Sequence, residues 1–115
     1  MGKQSSSNNL NKQQLEADCG MAYSISVLSG RWKLSILGFL LNQGKQRYSE
    51  LKRKLPGVSE RMLIAQLKEL QSDGLIFKTT YAEVPARVEY ELTEKGRSLK
   101  EMLTLMSDWG EEYRK

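Results

Sequence analysis

YSELKRKLPGVSERMLIAQLKELQSDGLIFKTTYAEVPARVEYELTEKG, residues 48–96, is the stretch whose reading decides the fold. Two short helical patterns flank Pro56-Gly57, and two alternating patterns flank residues 82–86. Helix, tight turn, helix, strand, loop, strand is the order of a winged helix-turn-helix, which lays its second helix in a DNA major groove. In the first helix Leu51 and Leu55 are one turn apart and point inward, leaving Lys52, Arg53 and Lys54 on outer or flanking faces. Ser49 is the expected N-cap there, with Glu50 complementing the positive helix end. Pro56 stops the helix and Gly57 permits the turn. Ser59 is expected to cap the second helix. Leu63, Leu67 and Leu70 fall within about 60° of one another on its wheel and form the core face. Arg61, Ala65, Lys68 and Ser72 fall opposite, a face with small and basic residues that can approach a groove closely.

The wing follows Asp73-Gly74. Leu75, Phe77, Thr79 and Tyr81 share one side of the first strand. In the second, Val88, Tyr90 and Leu92 point in and Arg87, Glu89 and Glu91 point out. Pro85 cannot donate to a ladder and belongs in the intervening loop.

Outward from this stretch, residues 31–42 read as a helix, apolar nearly all round and therefore central, with Trp32, Ile36, Phe39 and Leu40 on its inner side. An earlier helix begins near residues 13–18 or after Cys19, carries Met21, Ile25 and Leu28 on one apolar face, and ends at Ser29-Gly30. Thr93 caps a last helix running to about Tyr113, with an apolar stripe of Leu99, Met102, Leu103, Met106, Trp109 and Tyr113, and Leu105 off to the side. That stripe either folds back onto its own domain or pairs with a second subunit, and the second reading is favoured. Met21 and Ile25 are assigned to the same homodimer interface. The expected fold class is therefore mainly α with a small β-wing (α+β): a winged helix-turn-helix with extra N- and C-terminal dimerisation helices. Residues 1–14 read as a flexible polar arm, and residues 15–115 as one domain with its dimerisation helix at about 93–113.

Composition narrows the function. The 115 residues carry a net charge of +4, and the charge is uneven: residues 31–80 hold ten Lys/Arg against four Asp/Glu, and residues 81–115 hold six against eight. Positive charge thus gathers on the helix-turn-helix, as a phosphate-binding footprint requires, although solvated helix faces give the same count. There is no histidine and one cysteine. That removes the usual metal sites and the usual histidine-dependent catalysis, so no metal, no cofactor and no enzyme activity are expected. A lone cysteine cannot form an intramolecular disulfide, and no apolar run is long enough to span a membrane, so the reading is cytoplasmic with no membrane partner.

The chain resembles the HxlR-type winged-helix transcriptional regulators, related in architecture to the MarR-like group. The resemblance rests on Gly30-Arg31-Trp32-Lys33, Arg47-Tyr48-Ser49-Glu50-Leu51, Pro56-Gly57-Val58-Ser59-Glu60-Arg61-Met62-Leu63, Asp73-Gly74-Leu75-Ile76, Arg87-Val88-Glu89-Tyr90 and Leu92-Thr93-Glu94-Lys95-Gly96, in that order and spacing. It implies a homodimer that binds double-stranded DNA at a palindromic operator, as a repressor in the simplest case. On that resemblance the helix beginning at Ser59 is the recognition helix, with Arg61 the first candidate for base or phosphate contact and Ser59, Met62, Ala65, Gln66 and Lys68 beside it. A salt bridge at the helix start is the other reading of Arg61. Lys52, Arg53 and Lys54 are expected to clamp phosphates, or else to solvate a helix face, and Arg87 to contact the backbone at the wing exit. The resemblance also puts Cys19 where several members carry a thiol that senses oxidants or electrophiles. Here it is either that sensor or a small buried core residue. A small-molecule effector pocket between subunits is a further expectation. The alternative function is a winged-helix module that binds protein or RNA without operator-specific DNA binding.

Overall fold

The computed structural model describes residues 19–114. The expected arm at residues 1–14, and any helix start before Cys19, lie outside the described residues. The chain divides into two units, Met1–Arg31 and Trp32–Lys115. In the first, α1 spans Gly20–Leu28, with Cys19 in extended backbone at its N-cap. Ser29 donates its N–H back to the Ile25 carbonyl at 2.8 Å and closes the helix. Val27 and Leu28 are buried, whereas Met21 and Ile25 stay exposed. The apolar face expected from spacing is thus split between interior and surface.

The second unit opens with α2, Lys33–Gln43. Its buried residues are Lys33, Ile36, Leu37 and Leu40. These follow the i, i+3, i+4, i+7 spacing of one helical face. This corrects the expected inner side: Leu37 is fully buried, while Trp32 precedes the helix and, like Phe39, is only half-buried. The lysine at the first inward position hides the true stripe from a hydropathy reading.

A two-residue strand that the sequence reading missed, β1 (Gln46–Arg47), leads directly into α3, Tyr48–Lys54. The helix starts two residues earlier than the expected Ser49 cap implies. Arg47, not Ser49, is the N-cap, and its N–H donates to Glu50 Oε1 at 2.8 Å, satisfying one of the donors a helix start leaves free. After Pro56, Gly57 turns the chain at φ 89°, a conformation that favours glycine, and Val58 drops into the core. Helix α4 spans Glu60–Ser72 and is capped as expected, with Ser59 Oγ accepting from Met62 N–H at 3.0 Å. Leu63, Leu67 and Leu70 are buried, each worth roughly 1.5–3 kcal/mol against exposure. They pin the helix so that the opposite arc must face outward.

Strands β2 (Ile76–Tyr81) and β3 (Arg87–Leu92) form the wing, and with β1 they make an antiparallel sheet in the order β1-β3-β2. The register pairs Ile76 with Leu92, Lys78 with Tyr90, and Tyr81 with Arg87. On β3 the expected inward residues Tyr90 and Leu92 are buried and Val88 is half-buried; on β2 Ile76 is buried, and Phe77, Thr79 and Tyr81 share the other side as expected. Phe77 sits on the other face, opposite Glu91, and is 43% exposed. Leu75 is buried before the strand begins, and an alternation counted from it runs out of phase.

Thr93 caps α5 (Glu94–Arg97), accepting from Gly96 N–H at 3.0 Å, and its hydroxyl donates to the Gly74 carbonyl at 2.5 Å. A Cβ on Gly96 would lie 2.1 Å from the Leu75 carbonyl oxygen, so only glycine permits this close approach. The single last helix expected from Thr93 onward is broken. Leu99 N–H bonds the Gly96 carbonyl in an i to i+3 turn, Ser98 Oγ is drawn back to the Lys95 carbonyl, and α6 restarts at Lys100–Tyr113.

Candidate nucleic-acid interface

Helix α4 supplies the centre of the interface. Arg61, Ala65, Lys68 and Ser72 are exposed along one arc, with Met62 and Ile64 exposed at its flanks. Arg61 forms no ion pair among the described residues, which removes the salt-bridge reading of this side chain. Its guanidinium is presented to solvent from the first turn, the part of a recognition helix that reaches base edges. Ser59 Oγ accepts the Met62 N–H as the cap, and its O–H remains able to donate. Gln66 is corrected: it is 8% exposed, and its Nε2 donates to Met62 Sδ at 3.7 Å. It lies on the buried arc with Leu63 and Leu70, so it packs α4 rather than reading a base.

A carboxylate on α4 would repel phosphate. Glu69 is one, and it is paired with Lys33 of α2 at 2.5 Å. The Lys33 side chain is 4% exposed and that of Glu69 58%. The pair ties α2 to α4 and neutralises Glu69, whereas Glu60 in the first turn of α4 is exposed and forms no ion pair among the described residues. The sequence reading missed this role, although a lysine at an inward position of an apolar helix was its signal.

On α3, Arg53 is exposed and Lys52 half-buried. Lys54 turns away from the expected phosphate role. Its Nζ donates to Gln46 Oε1 at 2.7 Å and to Gln43 Oε1, and lies 5.7 Å from the Phe39 ring centroid. Two amide acceptors and a ring face hold the ammonium within the fold. Arg87 is likewise held. Its guanidinium lies 3.1 Å from Glu83, 3.6 Å from Glu89 and 4.0 Å from the Tyr81 ring centroid.

Beside this arc, exposed Glu60 of α4, half-buried Tyr48 of α3 and buried Tyr90 of β3 line one groove. The Tyr48 hydroxyl is buried without a hydrogen-bond partner. Burial, then the Glu60 carboxylate, raises its pKa above the usual 10.0. Burial, then Tyr48, raises that of Tyr90. Both phenols therefore stay neutral and act as packing.

Two other surfaces matter. On α6 no residue is buried. Leu99, Met102 and Leu103 are half-buried, whereas Leu105, Met106, Trp109 and Tyr113 are exposed, with the Trp109 and Tyr113 rings 5.1 Å apart. Leu105 thus belongs with the exposed apolar group. Between α2 and α6 runs a groove of 520 Å³ whose apolar lining includes Leu34, Leu41, Leu103 and Met106. In the first unit, Cys19 is a half-exposed free thiol. Among the described residues there is no cluster of metal-ligating side chains, and no single helix is long and apolar enough to cross a membrane.

Helix-turn-helix plus a three-stranded wing, with a basic outward face on the second helix, defines the class of winged-helix transcription regulators. The family model for the HxlR-like helix-turn-helix matches residues 27–115. MalR of Fusobacterium mortiferum is 50% identical over 94 residues, covering 82% of this chain and 89% of its own. The HTH-type transcriptional regulator YdeP of Bacillus subtilis is 42% identical over 96 residues, covering 84% of this chain and 74% of its own. The redox regulator HypR in its reduced form superposes with a TM-score of 0.78 at 38% identity, covering 84% of this chain and 94% of its own. The chain belongs to the HxlR-like helix-turn-helix family: it is a transcriptional regulator, not an enzyme.

Proposed function

We propose that the protein is a homodimeric repressor that binds a palindromic operator in double-stranded DNA. The observation that carries this reading is the outer arc of α4, where Arg61, Ala65 and Lys68 are exposed and the adjacent Glu69 is neutralised. Arg61 reads a base edge, Ala65 leaves room for the groove wall, and Lys68, Lys52 and Arg53 hold phosphates. The exposed apolar residues of α6, and Met21 and Ile25 of α1, support burial against a second copy of the chain. Half-sites would then lie about 34–36 Å apart, one helical turn. Footprinting on the DNA upstream of the protein's own gene tests this. Two protected half-sites are expected, and Arg61→Ala should weaken binding by about 1–3 kcal/mol and relax the preference at one base pair. A single unstructured footprint, or an Arg61→Ala variant that binds as the wild type does, contradicts it. An interaction module for protein or RNA would leave the duplex unprotected.

A thiol response belongs to the same reading. Cys19 is half-exposed at the start of α1, and HypR, a redox regulator, is a structural relative. Two Cys19 thiols, one per subunit, would give up two protons and two electrons to a diazene oxidant and form one disulfide. Release of wild type but not Cys19→Ser from DNA by diamide is the expected result. Equal behaviour of the two leaves the thiol structural.

A further inference from the structure

The basic side chains around the interface sort by whether the fold already holds them. Lys33, Lys54 and Arg87 are held by Glu69, by two glutamines, and by Glu83 and Glu89. Arg61 and Lys68 of α4 and Lys78 of β2 are exposed and form no ion pair or hydrogen bond among the described residues. The sequence reading passed over Lys78. It stands directly across the ladder from Tyr90, two residues beyond buried Ile76 on the same face of the strand. That face borders α4: Lys78 and Val88 on the wing, with Ile64 and Lys68 on the recognition helix, line a groove of 280 Å³. Glu60 is the one carboxylate in its lining, exposed at the start of α4 and near enough to the Tyr48 phenol to raise its pKa.

Resting on the DNA-binding reading above, we propose that Lys78, with Lys68 across the groove, is the seat for a DNA backbone phosphate on the wing side. Arg87 is then a brace of the wing and not a contact. An ammonium without an internal partner releases a counterion from DNA at full effect. A guanidinium already neutralised by two carboxylates and stacked on Tyr81 must first give up those partners. The wing therefore touches DNA along the first half of β2, close to the recognition helix, and not at its tip. Val84 and Pro85 of the tip carry no charge of their own, and Glu83 beside them is acidic.

The test is the salt dependence of binding to a labelled duplex of about 30 bp, read by fluorescence anisotropy between roughly 50 and 200 mM KCl. Lys78→Gln, Arg87→Gln and wild type are compared as full chains. Each lost phosphate contact lowers the slope of log Kobs against log salt by about 0.9. Lys78→Gln is expected to bind several-fold more weakly with a slope about 0.9 shallower. Arg87→Gln is expected to keep the wild-type slope and melt at a lower temperature. A wild-type slope in Lys78→Gln, or an equal fall in both variants, overturns the assignment while the DNA reading stands. A wild type that ignores the duplex at low salt overturns both.

Discussion

Glu69→Ala and Lys33→Met break the same ion pair, and the structure predicts that they differ in cost by several-fold. The Lys33 side chain is 4% exposed and the Glu69 side chain 58%. Removing Glu69 leaves an ammonium inside the fold with its counter-charge gone, and breaking a pair in that way costs about 3 kcal/mol. Removing Lys33 leaves a carboxylate that is already mostly in water, and Met fills the vacated inward position with a similar volume. An exposed partner contributes about 0–1 kcal/mol, so the net change is about 1 kcal/mol or less in either direction. Urea unfolding reads the difference. With a slope of about 1–2 kcal/mol/M, Glu69→Ala should lower the midpoint by roughly 2 M, and Lys33→Met should move it by less than about 1 M in either direction. The double variant should resemble Lys33→Met, since no buried charge remains. Equal losses in the two single variants would place the penalty in the contact itself and not in the stranded ammonium.

Other expectations follow from particular contacts. Gly96→Ala forces a Cβ to 2.1 Å from the Leu75 carbonyl oxygen, so a loss of about 3 kcal/mol in unfolding free energy is expected, with the wing and α5 displaced together. Tyr48→Phe removes a buried hydroxyl that has no partner and should be neutral or stabilising by about 1 kcal/mol at neutral pH. Because the folded pKa of Tyr48 is raised above 10.0, its contribution is fully present below that value and is lost as pH climbs toward the folded pKa. Alkaline unfolding curves should therefore fall less steeply with pH in Tyr48→Phe than in wild type. Trp109→Glu places a charge on the exposed apolar side of α6 and should shift sedimentation from dimer to monomer at micromolar concentration. A wild-type profile for that variant places the dimer contact elsewhere.

The order of elements was legible because each boundary has a local cause. Ser59 and Thr93 cap, Pro56-Gly57 turns, and Leu63, Leu67 and Leu70 keep strict helical spacing. What escaped depends on partners distant in sequence. β1 is two residues long and exists only because β3 pairs with it. Lys33 conceals the inward stripe of α2 because its burial depends on Glu69, 36 positions away. The same limit applies to the interface. Arg61, Ala65 and Lys68 were placed outward by the helical wheel alone. Lys54 and Arg87 looked equally available, and only their contacts show that the fold has engaged them; for Gln66 the same wheel already points to the core face beside Leu70. Lys78 was missed because a strand lysine beside a helix carries no motif.

The most direct test of the account is competition binding between the protein's own upstream duplex and a scrambled duplex of the same composition, at physiological salt. The upstream duplex is expected to bind about 10³-fold tighter or more, with an affinity that falls steeply as salt rises. Equal affinity for the two duplexes would contradict sequence-specific reading by α4 and leave the winged helix as a surface for another partner.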